Sequence, residues 1–220
     1  MKRFLTILLL FAALAEAPAQ ETTGQDLPAD VAYLMPSFMQ GTVYIRGQGP
    51  AQGKLNICAV DNTLRFIDDS GTELAAADHE SILRVIIDTV SFVRHQNAFL
   101  RLCPVEGDMG IAVKRNILII TDAKSAAYGG TSQTSAIREY GVLYAEGGIF
   151  ELNKNKKYPY KVSESLFVYK GDNILPPTRN NLRKLFPDRR DEIDAYFKSK
   201  RSFPENQEEA RALLKLWGGF

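Results

Sequence analysis

The side chains able to do acid–base or nucleophilic chemistry are few and scattered. The chain has two histidines, His79 and His95, and two cysteines, Cys58 and Cys103. A zinc hydrolase of the HExxH kind needs its histidines four residues apart on one helix, and neither is so placed. Asp78 and Asp88 are the nearest carboxylates, but they add no metal-ligand spacing. A catalytic triad can be assembled from distant residues. Both imidazoles fall in or beside expected turns, however, where a solvated ring is the simpler reading.

Asp61, Asp68, Asp69, Asp78 and Asp88 invite a calcium reading. A calcium loop gathers several oxygen ligands in one short segment around a fixed glycine. Asp68-Asp69-Ser70-Gly71 is too short for that and reads as a turn. Ser125, Ser132 and Ser135 are nucleophiles by type alone, since none lies in GxSxG. The stretch AAYGGTSQTS around them lacks the Gly-Lys-Ser/Thr ending of a phosphate loop. No catalytic residue, cofactor or metal is assigned.

Binding is easier to place. Tyr128, Gly129, Gly130, Thr131 and Ser132 lie in the longest small, polar stretch, a loop rich in hydroxyls. Lys156, Lys157 and Tyr158 form a second candidate, where basic and aromatic residues interleave. The competing reading of that group is a solvated hairpin tip. Formal net charge is only +1, so no global charge argument favours nucleic acid. The distribution is uneven: Gln20–Phe150 carries 10 Lys+Arg against 15 Asp+Glu, and Glu151–Phe220 carries 15 against 10.

The chain begins like an export signal, expected to span residues 1–19. Lys2 and Arg3 precede an apolar run from Phe4 to Leu14, and Ala17-Pro18-Ala19 places small residues for cleavage before Gln20. The run is shorter than the ~20 residues of a membrane span. The expected mature protein has no transmembrane helix and is periplasmic, outer-membrane-associated or secreted. An oxidising compartment permits a disulfide between Cys58 and Cys103. In Gly53–Val60, Cys58 opposes Leu55 and Ile57, and in Ala98–Cys103, Cys103 opposes Leu100 and Leu102. Both thus fall on the secondary face of their strands, as a bridge would want; two free, buried thiols are the alternative.

About 200 residues remain after the signal, enough for one domain with its own core. Residues 20–40 read as a polar leader with a packing segment at Val31–Met35. Residues 41–175 alternate apolar and polar positions between turns. Val43 and Ile45, then Leu55 and Ile57, then Leu64 and Phe66 each share a face, with Asp61-Asn62 and Asp68–Gly71 as turns. Thr72–Ala75, Leu83–Ile87, Phe92-Val93, Ala98–Cys103, Ile111–Ile120, Ile137–Tyr144, Gly148–Leu152 and Ser165–Tyr169 continue the pattern. This predicts a mainly antiparallel sheet, as a roll, barrel or sandwich.

Residues 176–220 change period and predict about three helices packed on the sheet, an α+β fold. Thr178 is the first N-cap, and Leu182, Leu185 and Phe186 share a face before Pro187. Asp188 is read as the second cap, ahead of Ile193, Tyr196 and Phe197. Asn206 with Glu209 resembles a capping box for a stripe of Ala210, Leu213, Leu214 and Trp217, with Gly218 as the stop.

The motifs GTVYI, QGKLN, FID…GTELAAAD, AYGGTSQTSAIREY and NNLRKLFPDRRDEIDAYFKSKRSFPENQEEARALLKLW together carry a resemblance. The chain resembles a widespread family of uncharacterised exported proteins from Bacteroidota-type Gram-negative bacteria. The resemblance implies export and a sheet followed by helices, and it brings no catalytic residue. The expected function is therefore a non-enzymatic envelope or secreted protein that binds a protein or glycan partner and no nucleic acid. The alternatives are a hydrolase of an envelope polymer or peptide, built from dispersed residues, and a structural subunit of an envelope complex.

Overall fold

The computed structural model describes residues 27–121, 136–139 and 160–219. The expected signal and the strand at Gly148–Leu152 lie outside them. A single helical turn, α1 (Ala29–Ala32), leads into the strands β1 (Met39–Ile45), β2 (Ala51–Cys58), β3 (Thr63–Ile67), β4 (Glu73–Ala75), β5 (Ile82–Ile87) and β6 (Val90–His95). Then come β7 (Ala98–Glu106), β8 (Met109–Thr121), β9 (Ala136–Glu139), β10 (Tyr160–Lys170) and β11 (Asn173–Leu175). Three helices close the chain: α2 (Arg179–Leu185), α3 (Arg190–Lys200) and α4 (Gln207–Gly218). The fold is α+β, a mainly antiparallel sheet followed by helices, as the two sequence periods predict.

The strands form one sheet in the order β11-β10-β8-β7-β6-β5-β1-β2-β3-β4, with β9 on β8. Every pairing is antiparallel. Short turns join most neighbours, and Asn62, Asp88 and Gln96 adopt positive φ in three of them. β1 departs from the meander, because it inserts between β5 and β2.

The β1–β7 half coils upon itself. At ~4.8 Å per strand, a flat sheet would hold β6 about 19 Å from β3. Yet Arg94 in β6 reaches the carbonyl of Asn62, in the β2–β3 turn, at 3.4 Å. The coil encloses Val43, Leu55, Ile57, Leu64, Val85, Ile87, Phe92 and Phe99. It is a roll, and the alternating residues seen in sequence form its interior.

The segment after α1 straps the outside of this roll. Leu34 N–H donates to the Ile57 carbonyl at 2.9 Å, and Ala59 N–H to Ala32 at 2.7 Å. Asn56, 1% exposed, then substitutes for a missing backbone partner. Its Oδ1 accepts from Met35 N–H at 3.1 Å and its Nδ2 donates to the Met35 carbonyl at 3.0 Å. Asn56→Ala strands both Met35 groups in a site closed to water, and should cost about 2–4 kcal/mol in urea unfolding. A cost below about 0.5 kcal/mol would show that water replaces the amide.

The second core lies between the helices and the other half of the sheet. Ile111 and Val113 of β8 and Val168 of β10 pack against Leu182, Leu185, Ile193, Ala210, Leu214 and Trp217. Thr178 caps α2 as expected, accepting from Asn181 N–H at 3.3 Å. Asn206 caps α4, accepting from Glu208 N–H at 2.8 Å and Glu209 N–H at 3.2 Å. Two sequence expectations are corrected. Asp188 does not cap α3: Pro187–Arg189 winds into a 3₁₀ turn, and Arg189 takes the cap position without a side-chain bond. The last helix ends one residue later than read, at Gly219, whose φ of 83° suits glycine alone; Gly218 is still helical.

Candidate functional site

Of the two cysteine readings left open by the sequence, the structure matches the free, buried one. Cys58 and Cys103 are both free and buried. Three strands, β1, β5 and β6, separate β2 from β7 in the sheet. Their faces also differ. Phe99, four residues before Cys103 on the same side of β7, enters the roll beside Leu55 and Ile57, and farther along that side Cys103 packs in the core under the helices. Cys58 opposes Leu55 and Ile57 and lies outside, against Tyr33, Val60 and Ile117. The sequence reading took Leu100 and Leu102 as the main apolar face of β7, whereas they line the outer cluster with Ala112 and Tyr169.

Burial, with the Asp61 charge added to it, pushes the Cys58 thiol up to about 12. Burial also raises Cys103. A thiol held protonated is a poor nucleophile. Both should resist alkylation at pH 8 in the folded protein and react fully once unfolded without reductant. An unreduced, unfolded protein with no alkylatable thiol would contradict this arrangement.

Beside Cys58 sits the densest polar network among the described residues. Arg65 is 7% exposed, in the middle of β3, on the face opposite Leu64 and Phe66. Its Nη2 pairs with Asp61 Oδ2, its Nε donates to Thr63 Oγ1 at 2.8 Å, and its Nη1 lies 3.8 Å from Glu73. Asp61 Oδ1 accepts from both Thr63 N–H, at 3.1 Å, and Thr63 Oγ1, at 2.6 Å, which fixes the turn before β3. Tyr33 O–H donates to Glu73 at 2.6 Å. Burial opposes the guanidinium charge, but Asp61 and Glu73 outweigh it and hold Arg65 protonated. Burial, reinforced by Glu73, raises the Tyr33 phenol. The network fastens the strap to the roll through β3 and β4.

His79 lies near this network and is not the solvated ring expected. Its Nδ1 is buried with no hydrogen-bond partner among the described residues. Burial first, then the Arg94 charge, lowers its pKa and favours the neutral ring. His95 stands edge-on to Phe167, with ring centroids 5.5 Å apart. The carboxylates once weighed for calcium serve turns. Asp68 Oδ1 accepts from Ser70 N–H at 2.9 Å and Thr72 N–H at 2.8 Å, and Asp78 Oδ1 from Glu80 and Ser81, each at 3.1 Å. No group of three or more His, Cys, Asp or Glu among the described residues is arranged to hold a metal.

The preferred binding residues, Tyr128, Gly129, Gly130, Thr131 and Ser132, and the second candidate, Lys156, Lys157 and Tyr158, lie outside the described residues. The described ends of the first segment are neighbours, since Thr121 and Ala136 are paired between β8 and β9.

A feature that sequence reading missed lies on the helices. Asn180, Arg183 and Lys184 of α2 and Arg190 of α3 line an open hollow of about 330 Å3. The signal in the sequence is the run Arg179–Arg190, with five Lys+Arg and one Asp. Asp194 ties the two helices together, accepting from Arg179 Nε at 2.7 Å and lying 3.7 Å from Arg183 Nε. Among the described residues no helix is long and apolar enough to cross a membrane. No family model matches the chain, and no curated protein or solved structure does either.

Proposed function

We propose that this chain is an exported protein of the cell envelope or its surroundings that holds a protein or glycan partner and carries out no reaction of its own. The observation that carries this reading is the use made of its reactive groups. Both thiols are in cores with their protonated forms favoured, and Arg65, Asp61, Glu73 and Tyr33 are joined in a fastening. Meanwhile open, polar surface is offered by the cationic hollow on α2 and α3. The N-terminal Lys2-Arg3, apolar run and Ala17-Pro18-Ala19 support export. A rigid sheet that presents loops is a common way to build a binding surface.

Crosslinking in the native cell followed by affinity purification tests the reading. Fractionation should place the protein outside the cytoplasm, with an N-terminus at Gln20, and crosslinking should recover it in a defined complex. Recovery of the protein alone contradicts partner binding. Turnover of an envelope polymer or peptide by the purified protein would favour the hydrolase.

A further inference from the structure

We propose that residues 77–80, in the connection from β4 to β5, form a proton-operated flap: a neutral His79 holds it against the roll, and the imidazolium releases it. The inference is independent of the partner-binding reading. The connection is anchored on both sides. Ala76 N–H donates to the Leu64 carbonyl at 2.9 Å, and the Ser81 carbonyl accepts from Arg46 N–H at 2.8 Å. Ala76 and Ile82 are buried in the roll core. Between these anchors Ala77, Asp78 and Glu80 are exposed, and only His79 is partly buried. Its ring is what the flap has to hold it down.

The site accepts a neutral ring and disfavours a charged one. Nδ1 is closed to water and has no hydrogen-bond partner among the described residues. In the neutral ring Nδ1 can be the nitrogen without a proton, whereas the cation carries N–H on both nitrogens and makes Nδ1 a buried donor with no acceptor. Burial, then Arg94 of β6 and Arg65 of β3, oppose the charge; Asp61 of the β2–β3 turn and Asp78 of the flap favour it. Both carboxylates are engaged elsewhere, Asp61 by Arg65 and Thr63, and Asp78 by the backbone of Glu80 and Ser81. Glu80 acts on Arg94, and Glu73 lies 3.8 Å from Arg65. Among the described residues no carboxylate is within ion-pair distance of the imidazole. The seam beside it is lightly fastened, by Arg94 donating at 3.4 Å to Asn62, whose φ is 55°. Swung out, His79 regains the ordinary imidazole value of about 6.5; held in, it lies lower. The closed flap is therefore fully stable above about pH 6.5. It loses stability as pH falls from there toward the value of the closed ring, with opening favoured by up to about tenfold per pH unit.

Imidazole NMR and amide exchange of the full mature chain, from about pH 7.5 to about pH 5, test the flap. In H95Q the remaining imidazole is that of His79, and its midpoint should lie below about 6.5. The Ile82 amide, which donates to the His79 carbonyl at 3.3 Å, reports opening. After correction for intrinsic exchange, its protection should fall by up to about tenfold per pH unit on acidification, while that of Leu214 in α4 holds. H79Q, neutral throughout, should keep Ile82 protection flat. H95Q/R94Q, which removes the nearest opposing cation, should raise the His79 midpoint relative to H95Q. A midpoint at or above about 6.5 would overturn the flap, as would Ile82 protection that ignores pH or falls equally in H79Q. An equal loss at Leu214 would show general acid unfolding and overturn it too. Should H79Q fail to fold, H95Q/R94Q decides alone: a midpoint unchanged or lowered removes His79 from the seam and overturns the proposal.

Discussion

Trp217→Ala should lower the unfolding free energy by about 3–5 kcal/mol. For a protein of this size that is a fall in melting temperature of about 6–20 °C. The indole is 3% exposed and is where the helical cap converges. Its ring meets Tyr196 of α3 edge-on at 5.6 Å, Phe186 at the end of α2 at 6.3 Å, and Phe203 from the α3–α4 connection at 6.4 Å. Truncation leaves a void bounded by three rings that are themselves held by other contacts, so the site collapses only in part. Trp217→Phe should recover a large share of the loss. A change below about 1 kcal/mol for the alanine variant would mean that α4 is not docked on the sheet.

Arg65→Ala is the second large effect, about 3–5 kcal/mol, and its cause is different. Arg65 is 7% exposed, and removing it leaves Asp61 and Glu73 without their shared cation. A double-mutant cycle with Asp61→Asn should show coupling of about 0.5–3 kcal/mol, because the two side chains share one network. Coupling near zero would mean that Arg65 stabilises β3 by packing alone. Since Tyr33 joins the network only through Glu73, Tyr33→Phe should cost much less, about 1 kcal/mol.

These two residues also mark the limits of what the sequence made legible. Trp217 belongs to a 3.6-residue stripe with Ala210, Leu213 and Leu214, so its burial follows from helix geometry alone. The same holds for Val43 with Ile45 and Leu55 with Ile57 at period two. Arg65 sits inside an apolar run, Leu64-Arg65-Phe66, as does Asn56 in Leu55-Asn56-Ile57. Alternation puts both on a solvent face; the strap, arriving from earlier in the chain, closes over Asn56 through Met35, and Asp61, Thr63 and Glu73 gather around Arg65.

Non-local pairing explains the other misses. That β1 lies between β2 and β5 is not written in any local pattern. The choice between a bridge and two free thiols could not be made strand by strand, because Cys58 and Cys103 belong to different clusters. In β7 both faces are covered, so Leu100 and Leu102 gave no clue that Cys103 looks toward the helices. The helix boundaries failed by one or two residues, where a proline-led 3₁₀ turn displaced the expected Asp188 cap. The hollow was missed for a similar reason. Arg183 and Lys184 are separated from Arg190 by a turn, and their common wall exists only once α2 and α3 are folded together.

The measurement that tests the central claim most directly is site-resolved photo-crosslinking in the native cell. A photoreactive residue is placed in turn at Tyr128, Lys157 and Lys184, and at Lys54 on β2 as a reference outside the proposed binding surfaces. The account predicts one discrete adduct, formed from at least one of the first three positions and absent from the reference. No adduct from any of the three, or the same adduct equally strong from Lys54, would contradict a protein built to hold a partner on those surfaces.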